Sequence, residues 1–463
     1  MIRKIEYLFD HKPFHLLTGI FLIGAVLRLY HINYQSLWLD ELYSIVPTDP
    51  KNSLLSVIEY CKGDQPPLFF IYIHSMFKVF GYNETVGRIA SALVGLMGIG
   101  AIYFLGKECF GRREGIFAAL LTSINYFHIY YSQELRFYSM AFLFATLSYL
   151  FYIRAFRRVA LVDYLAYGIS TICLLYTHYF GLIILGTQVA VFFILLIYKR
   201  DLRFIFLSVM SCLLVLLAFI PWLPILFNDM GVDVGWIKKP EPYFVAQYFY
   251  DYTGKDALTT IVLIAFIYLT VKNTLKKSIG LKIKIIVLII TAWIVLSYLV
   301  PYIRSVTLSP MLHNRYTIVT LPAWIILFAF GWEKIRMLKW KYALIPILIV
   351  SSILNLFFFR QHYYILKKEQ YREASEIVLA KNKSAYPVYS SLSWHFSFYF
   401  RNSTTEVRDF QSGDFTSTDK FWLLQAHFTE EEMEAEVLRF KDSFRVAEKN
   451  HFFGSNAILM ERW

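Results

Sequence analysis

Two adjacent acids, Asp40 and Glu41, follow the first long apolar run of the sequence. Like charges side by side repel each other, and near a medium of low dielectric constant they are costly unless a cation compensates them. One interpretation is a solvated loop beside the aromatic residues Tyr34 and Trp38 at a membrane interface. The other is a functional site, which needs further polar residues nearby.

Further polar side chains stand at the ends of other apolar runs. They are Asp64, Glu134, Arg136, Tyr138, His178, Arg315 and Tyr316. Guanidinium groups bind phosphate oxygens through two parallel hydrogen bonds and keep their charge beside lipid. Arg136 and Arg315 are therefore candidate phosphate ligands, although Arg136 and Glu134 could equally anchor a helix end at the interface.

Composition requires a membrane to surround most of the chain. Of the 463 residues, 57% are hydrophobic and only 17% are charged, and the mean hydropathy is +0.47. The net charge of +12 does not indicate nucleic-acid binding, because the lysines and arginines form short clusters between apolar runs. The apolar composition excludes the class of soluble globular enzymes.

Eleven apolar runs are predicted to cross the membrane. They lie at about residues 14–32, 86–106, 114–131, 137–153, 161–177, 179–198, 203–227, 258–271, 282–301, 316–332 and 342–359. A twelfth run, 66–80, is predicted to be interfacial or re-entrant. With that assignment all basic clusters fall on the side of the N-terminus, which the positive-inside rule makes cytoplasmic.

This topology puts the first outer loop, 33–85, and the segment 360–463 outside the cytoplasm. Residues 1–359 are predicted to form the transmembrane module, and 360–463 a small soluble α/β domain. In that domain, 386–399 and 421–428 are typical of strands. A capping box from Thr429 to Glu432 predicts a helix that continues to about Phe444.

Several local motifs occur in a characteristic order. They are Ser36-Leu-Trp-Leu-Asp40-Glu41, Pro66-Pro67-Leu68, Gly81 through Arg88, Ser132-Gln-Glu134-Leu-Arg136-Phe-Tyr138, and Arg315-Tyr316 followed by Pro322. On these motifs the first 335 residues or so resemble the GT-C glycosyltransferases that use polyprenyl-phosphate sugars. The resemblance is to the bacterial branch of the protein O-mannosyltransferase and lipid A aminoarabinose transferase superfamily. Gln65 departs from it, since many relatives have histidine before the paired prolines.

The resemblance implies a cell-envelope transferase of hexosyl or pentosyl groups, working with inversion. Its donor would be a polyprenyl monophosphate sugar, and its acceptor a lipid, glycan or protein hydroxyl. Asp40 would be the catalytic base, because a lipid phosphate leaves readily and the acceptor proton is what must be removed. Glu41 would be a second catalytic candidate that orients substrate.

The remaining candidates would bind substrate. Arg136 and Arg315 would hold the phosphate, and Glu134 would fix Arg136 or contact sugar hydroxyls. Tyr138, Tyr316 and Asp64 complete this set. The sequence implies no cofactor: a divalent metal is compatible with it, but no histidines have the spacing of metal ligands.

Two other classes of function remain open. A transporter or flippase of lipid-linked sugars would also need outer charges, but it would be expected to carry charges at mid-membrane on several helices. Arg28 and Asp163 are the main candidates for such charges, and Arg28 could also extend to the interface or pair with an anion. A scaffold that recruits partners through its C-terminal domain is the other class.

Overall fold

The computed structural model describes residues 2–63, 65–229, 235–413, 415 and 418–463. The chain divides into two compact units. The first unit consists of Met1–Tyr30, Leu54–Tyr72 and Ile89–Gln361. The second unit consists of His31–Ser53, Ile73–Arg88 and His362–Trp463.

The described residues form mostly helices. In chain order they are α1 (Ile2–His11), α2 (Pro13–Leu29), α3 (Leu39–Ile45), α4 (Leu54–Cys61), α5 (Leu68–Phe80), α6 (Glu84–Cys109), α7 (Arg112–Ile124), α8 (Tyr126–Ser132), α9 (Tyr138–Arg158), α10 (Leu161–Leu175), α11 (Phe180–Tyr198), α12 (Leu202–Phe219), α13 (Leu223–Asp229), α14 (Phe244–Tyr252), α15 (Ala257–Thr274), α16 (Leu281–Thr307), α17 (Leu321–Glu333), α18 (Leu338–Leu354), α19 (Tyr371–Lys381), α20 (Ser393–Phe400) and α21 (Glu430–Leu438).

Eight helical segments of the described residues are long and apolar enough to cross a membrane. They are Glu84–Cys109, Tyr138–Arg158, Phe180–Tyr198, Leu202–Asp229, Ala257–Thr274, Leu281–Thr307, Tyr316–Glu333 and Leu338–Phe359. Three shorter apolar helices are α2, α5 and α10. The prediction of a polytopic helical membrane protein is confirmed, while the count of eleven crossings stays a prediction.

One predicted span is not a continuous helix. The run 114–131 breaks between α7 and α8 at Asn125, whose extended backbone begins α8 as its N-cap. The Asn125 side chain accepts a hydrogen bond from the His128 amide at 2.9 Å. Asparagine favours this cap because its short side chain can bond to the backbone three residues ahead, which apolar periodicity does not reveal.

Close packing holds the helices of the first unit together. At Gly331 in α17 an added Cβ would lie 2.0 Å from the carbonyl oxygen of Phe266 in α15, so only glycine allows this approach. Trp332 stacks on Phe117 of α7 with ring centroids 4.2 Å apart. Small residues and aromatic stacking thus replace the hydrophobic effect, which does not drive helix association in lipid.

Arg28 of α2 is fully buried. Its guanidinium donates to the carbonyl oxygens of Ser123 at 3.0 Å and Thr122 at 2.9 Å, and to Nδ1 of His128 at 2.8 Å. Pairing with an anion and extension to the interface both stay predictions for this residue. A buried charge must be hydrogen-bonded, and the break at Asn125 exposes the carbonyl groups that bond to it.

The second unit contains a five-stranded sheet in the order β2-β1-β3-β5-β4. The strands are β1 (Val388–Ser390), β2 (Val407–Asp409), β3 (Lys420–Ala426), β4 (Phe444–Phe452) and β5 (Ser455–Arg462). β1 lies parallel to β2 and β3, whereas β5 is antiparallel to β3 and β4. One side of the sheet packs an aromatic core that includes Phe421, Phe444 and Tyr389.

The small α/β domain is confirmed, with two corrections. The predicted strand 386–399 is the short β1 followed by α20, because the aromatic residues of Ser393–Phe400 bury one face of a helix. The predicted helix at Thr429 has its capping box, but it ends at Leu438. Residues beyond that point turn towards β4, whose Phe444 is part of the core.

Candidate functional site

Asp40 and Glu41 lie in the first turn of α3, within the second unit. Acids are favoured at this position by the partial positive charge of a helix N-terminus. The backbone amide of Trp38 lies 3.5 Å from Oε2 of Glu41, which helps to cap the helix. Asp40 is half-buried, whereas the Glu41 side chain is fully buried. The two neighbours therefore have different environments.

Two cations compensate the buried Glu41. Arg88 Nε donates to Oε1 at 2.8 Å and Arg88 Nη2 to Oε2 at 2.6 Å. Lys368 Nζ also donates to Oε2, at 3.0 Å. The remaining Arg88 protons bond to the carbonyl oxygens of Ile32, Gln35 and Ser36, so this arginine also fixes the chain that enters α3.

Residues from three other segments of the second unit surround α3. Tyr43 contacts the rings of Trp394 and His395 in α20, at centroid distances of 5.6 and 4.9 Å. His427 precedes α21, and its Nδ1 lies 2.9 Å from Oε1 of Glu369. The Glu369 hydrogen bond raises the pKa of His427, and the charge of Asp40 adds to this effect. The pair of Glu369 and His427 was not predicted, because the two residues are distant in sequence.

Four of the predicted substrate-binding residues form one cluster in the first unit. The Arg136 guanidinium lies 4.7 Å from the ring of Phe137, which is 4.7 Å from that of Tyr138. The Arg315 guanidinium lies 5.9 Å from the ring of Tyr138 and 5.6 Å from that of Tyr316. Both arginines thus stand on a shared aromatic platform.

His178 closes this cluster. Its ring lies 4.8 Å from that of Phe137 and 4.9 Å from that of Tyr316. Burial, together with the positive charges of Arg136 and Arg315, lowers the pKa of His178 to about 3. The histidine therefore adds no positive charge to that of the two arginines at physiological pH.

Local structure explains why the arginines are presented here. Residues 133–137 form the turn between α8 and α9, and Arg315 precedes the 3-10 turn that leads into α17. Trp236, which the sequence did not suggest, covers Arg315 with its ring 4.6 Å from the guanidinium. Arg136 is buried with only 6% of its surface exposed, so an anionic partner would meet it in a medium that solvates charge poorly.

The remaining predicted substrate-binding residues are Glu134 and Asp64. Glu134 is buried two residues before Arg136, whose amide donates to the Glu134 carbonyl oxygen at 2.8 Å. Asp64 lies outside the described residues. Among the described residues, no group of three or more His, Cys, Asp or Glu side chains is arranged to hold a metal ion.

Comparisons with known proteins bear on the fold. A family model described as dolichyl-phosphate-mannose-protein mannosyltransferase matches residues 64–225. No curated protein matches the chain.

Solved structures match over nearly the whole chain. ArnT from Cupriavidus metallidurans in the apo state is 12% identical, with a TM-score of 0.66. The match covers 96% of this chain and 97% of that chain. ArnT bound to undecaprenyl phosphate is 10% identical, with a TM-score of 0.60 and the same coverage. The oligosaccharyltransferase AglB from Archaeoglobus fulgidus, in complex with an inhibitory peptide and a dolichol-phosphate, is 10% identical, with a TM-score of 0.60. That match covers 90% of this chain and 70% of the AglB chain.

Proposed function

We propose that this chain, a membrane protein with the GT-C fold of these transferases, moves a sugar from a polyprenyl-phosphate donor to an acceptor hydroxyl at the outer face of the membrane. The observation that carries the proposal is the joining of Arg136 and Arg315 by one aromatic cluster. Two arginines held over aromatic rings suit a lipid phosphate, which carries charge and cannot leave the membrane surface. ArnT and AglB bind undecaprenyl phosphate and a dolichol-phosphate respectively, which supports the same class of donor here.

The arginines act on the leaving group. As the bond between the anomeric carbon and the phosphate oxygen breaks, negative charge grows on that oxygen. Arg136 and Arg315 stabilise this charge, and they do so strongly because Arg136 is shielded from water. Glu134 orients Arg136 or contacts sugar hydroxyls. Tyr138 and Tyr316 stack on the sugar, and Asp64 contacts substrate.

Asp40 is the proposed base. It accepts the proton of the acceptor hydroxyl while the hydroxyl oxygen forms its bond to the anomeric carbon, and the polyprenyl phosphate departs from the opposite face. One displacement without a covalent sugar intermediate inverts the anomeric configuration. Glu41 supports this step by positioning: its contacts with Arg88 and Lys368 hold the first turn of α3, and with it Asp40.

The experiment is a turnover assay with defined donors. Purified protein is given polyprenyl monophosphates that carry single hexoses or pentoses, with lipid, glycan and peptide acceptors. The proposal requires acceptor-dependent release of free polyprenyl phosphate and a product of inverted anomeric configuration by NMR. Movement of intact lipid-linked sugar across sealed vesicles without cleavage would instead identify a transporter or flippase.

A further inference from the structure

A cavity lies in the first unit, at the ends of helices that carry basic residues. It has a volume of about 200 Å³ and opens between α9, α10, α11 and α12. Its lining is mainly aromatic and aliphatic and includes Phe156, Phe192, Phe204 and Leu213. Tyr138 and Phe156 stand eighteen positions apart on α9, so the cavity is roughly 27 Å along that helix from Tyr138.

The few polar groups of this cavity bond to each other. The Tyr152 hydroxyl donates to the Gln188 carbonyl oxygen at 2.8 Å, and the Tyr167 hydroxyl donates to Gln188 Oε1 at 3.0 Å. The Gln188 amide in turn donates to Ser148 Oγ at 2.8 Å. Because these groups are satisfied within the protein, the cavity offers its occupant an apolar surface.

A cation marks the edge of the cavity. Lys199 Nζ donates to the carbonyl oxygen of Phe156 at 2.6 Å, and it lies 5.4 Å from the ring centroids of both Phe156 and Phe204. Arg203 is exposed in the first turn of α12, directly before Phe204. Arg200 is exposed beside Lys199.

These three cations carry more charge than the one acid among them, Asp201, can offset. Asp201 lies among them and offsets part of their charge, while its carboxylate caps α12 by accepting from the amides of Arg203 and Phe204 at 2.9 and 3.4 Å. In the part of the chain that the structure describes, Lys199, Arg200 and Arg203 form no ion pair. The neighbouring basic cluster is different, because Arg154, Arg157 and Arg158 all pair with Glu108.

We propose that this cavity binds an acyl chain of an anionic phospholipid, whose phosphate lies against Lys199 and Arg203. An apolar cavity beside an excess of positive charge at a membrane surface matches the two parts of such a lipid. The cavity is too small for a drug-sized ligand, but it can take part of one acyl chain. The site is separate from the proposed transfer chemistry and does not depend on it.

The test measures lipid retention by native mass spectrometry. Protein in detergent is given phosphatidylglycerol or phosphatidylcholine with identical acyl chains, and the ratio of the two bound lipids is recorded. Wild type should prefer phosphatidylglycerol. Lys199→Gln with Arg203→Gln should lower this preference about fivefold for each charge removed, since a basic residue near the surface contributes about 1 kcal/mol. Cys212→Phe, which fills the cavity, should reduce retention of both lipids.

The matched control is Lys272→Gln with Lys276→Gln, which removes two lysines far along the chain from this cavity. It should leave the preference unchanged. Equal retention of both lipids by wild type, or an equal loss in the control, would overturn the proposal. Displacement of phosphatidylglycerol by polyprenyl phosphate would overturn the assigned occupant. If Cys212→Phe does not fold, as judged by its melting temperature, the charge variant decides alone.

Discussion

The Glu41 carboxylate accepts hydrogen bonds from Nε and Nη2 of Arg88, at 2.8 and 2.6 Å. The Glu41 side chain is 0% exposed and that of Arg88 is 2% exposed. Such a pair forms only when the rest of the environment satisfies both charges, as Lys368 and three backbone carbonyl groups do here. The adjacent acids of the sequence are thus divided. Glu41 is compensated inside the protein, and Asp40 remains half-buried.

Glu41→Gln should therefore lose stability and activity together. Glutamine removes the carboxylate that Arg88 and Lys368 share, and breaking a buried ion pair by removing one partner typically costs about 3–5 kcal/mol. Thermal unfolding in detergent, measured beside turnover, checks this. A variant with wild-type stability but no turnover would instead give Glu41 a direct part in the chemistry.

Arg136→Ala and Arg315→Ala should each weaken binding of polyprenyl phosphate by about tenfold to a hundredfold, because each removes a hydrogen bond between charged groups. Lysine should restore binding only in part, since it lacks the planar fork. Binding is measured by lipid titration. Arg304→Ala is the control, because that guanidinium bonds to the Ser309 carbonyl oxygen. Unchanged affinity in both variants would make these arginines interfacial anchors.

His427 should make the stability of the second unit depend on pH. Its pKa is raised by Glu369, so the protonated form is stabilised by folding. That contribution is present below the unfolded pKa of about 6.5 and is lost as pH rises through the higher folded pKa. His427→Gln should therefore lower the melting temperature more at about pH 5.5 than at about pH 8.5.

The control for this pH dependence is His451→Gln, whose partner is the neutral side chain of Asn456. The difference in melting temperature between the two pH values should stay as in wild type. If His427→Gln instead shifts the melting temperature equally at both pH values, its ion pair with Glu369 contributes nothing.

The topology prediction rests on charge. Reporters fused after Gly111, Arg158 and Lys276 should be cytoplasmic, while those at Asn52 and Glu430 should be extracytoplasmic. Reporter activity in intact cells measures this. If Gly111 and Arg158 prove external together with Asn52, then α5 crosses the membrane and the predicted topology is wrong.

The sequence predicted what local patterns determine. Apolar run length gave the membrane helices, and the capping box at Thr429 gave the start of α21. The grouping of Arg136, Tyr138, Arg315 and Tyr316 could be expected, because each stands at a helix end on the same predicted side. These features depend on a few neighbouring residues or on the membrane itself.

The sequence could not predict pairings between distant segments. Glu41 and Lys368 are 327 positions apart, and Arg28 and His128 are 100 apart. Lysine and histidine occur at many positions, so residue type alone does not select the partner. The backbone of His427 was also not predictable, because its φ of 68° is uncommon for histidine and depends on the surrounding fold.

The most direct test of the central claim is the turnover of Asp40→Asn with a lipid-linked sugar at saturating donor. Asparagine keeps the size of the side chain but cannot accept the acceptor proton, so the turnover rate should fall about 10²–10⁴-fold. Donor affinity and melting temperature should stay close to those of wild type. Near-normal turnover by this well-folded variant would contradict the account and move the base to Glu41, Asp64 or Glu134.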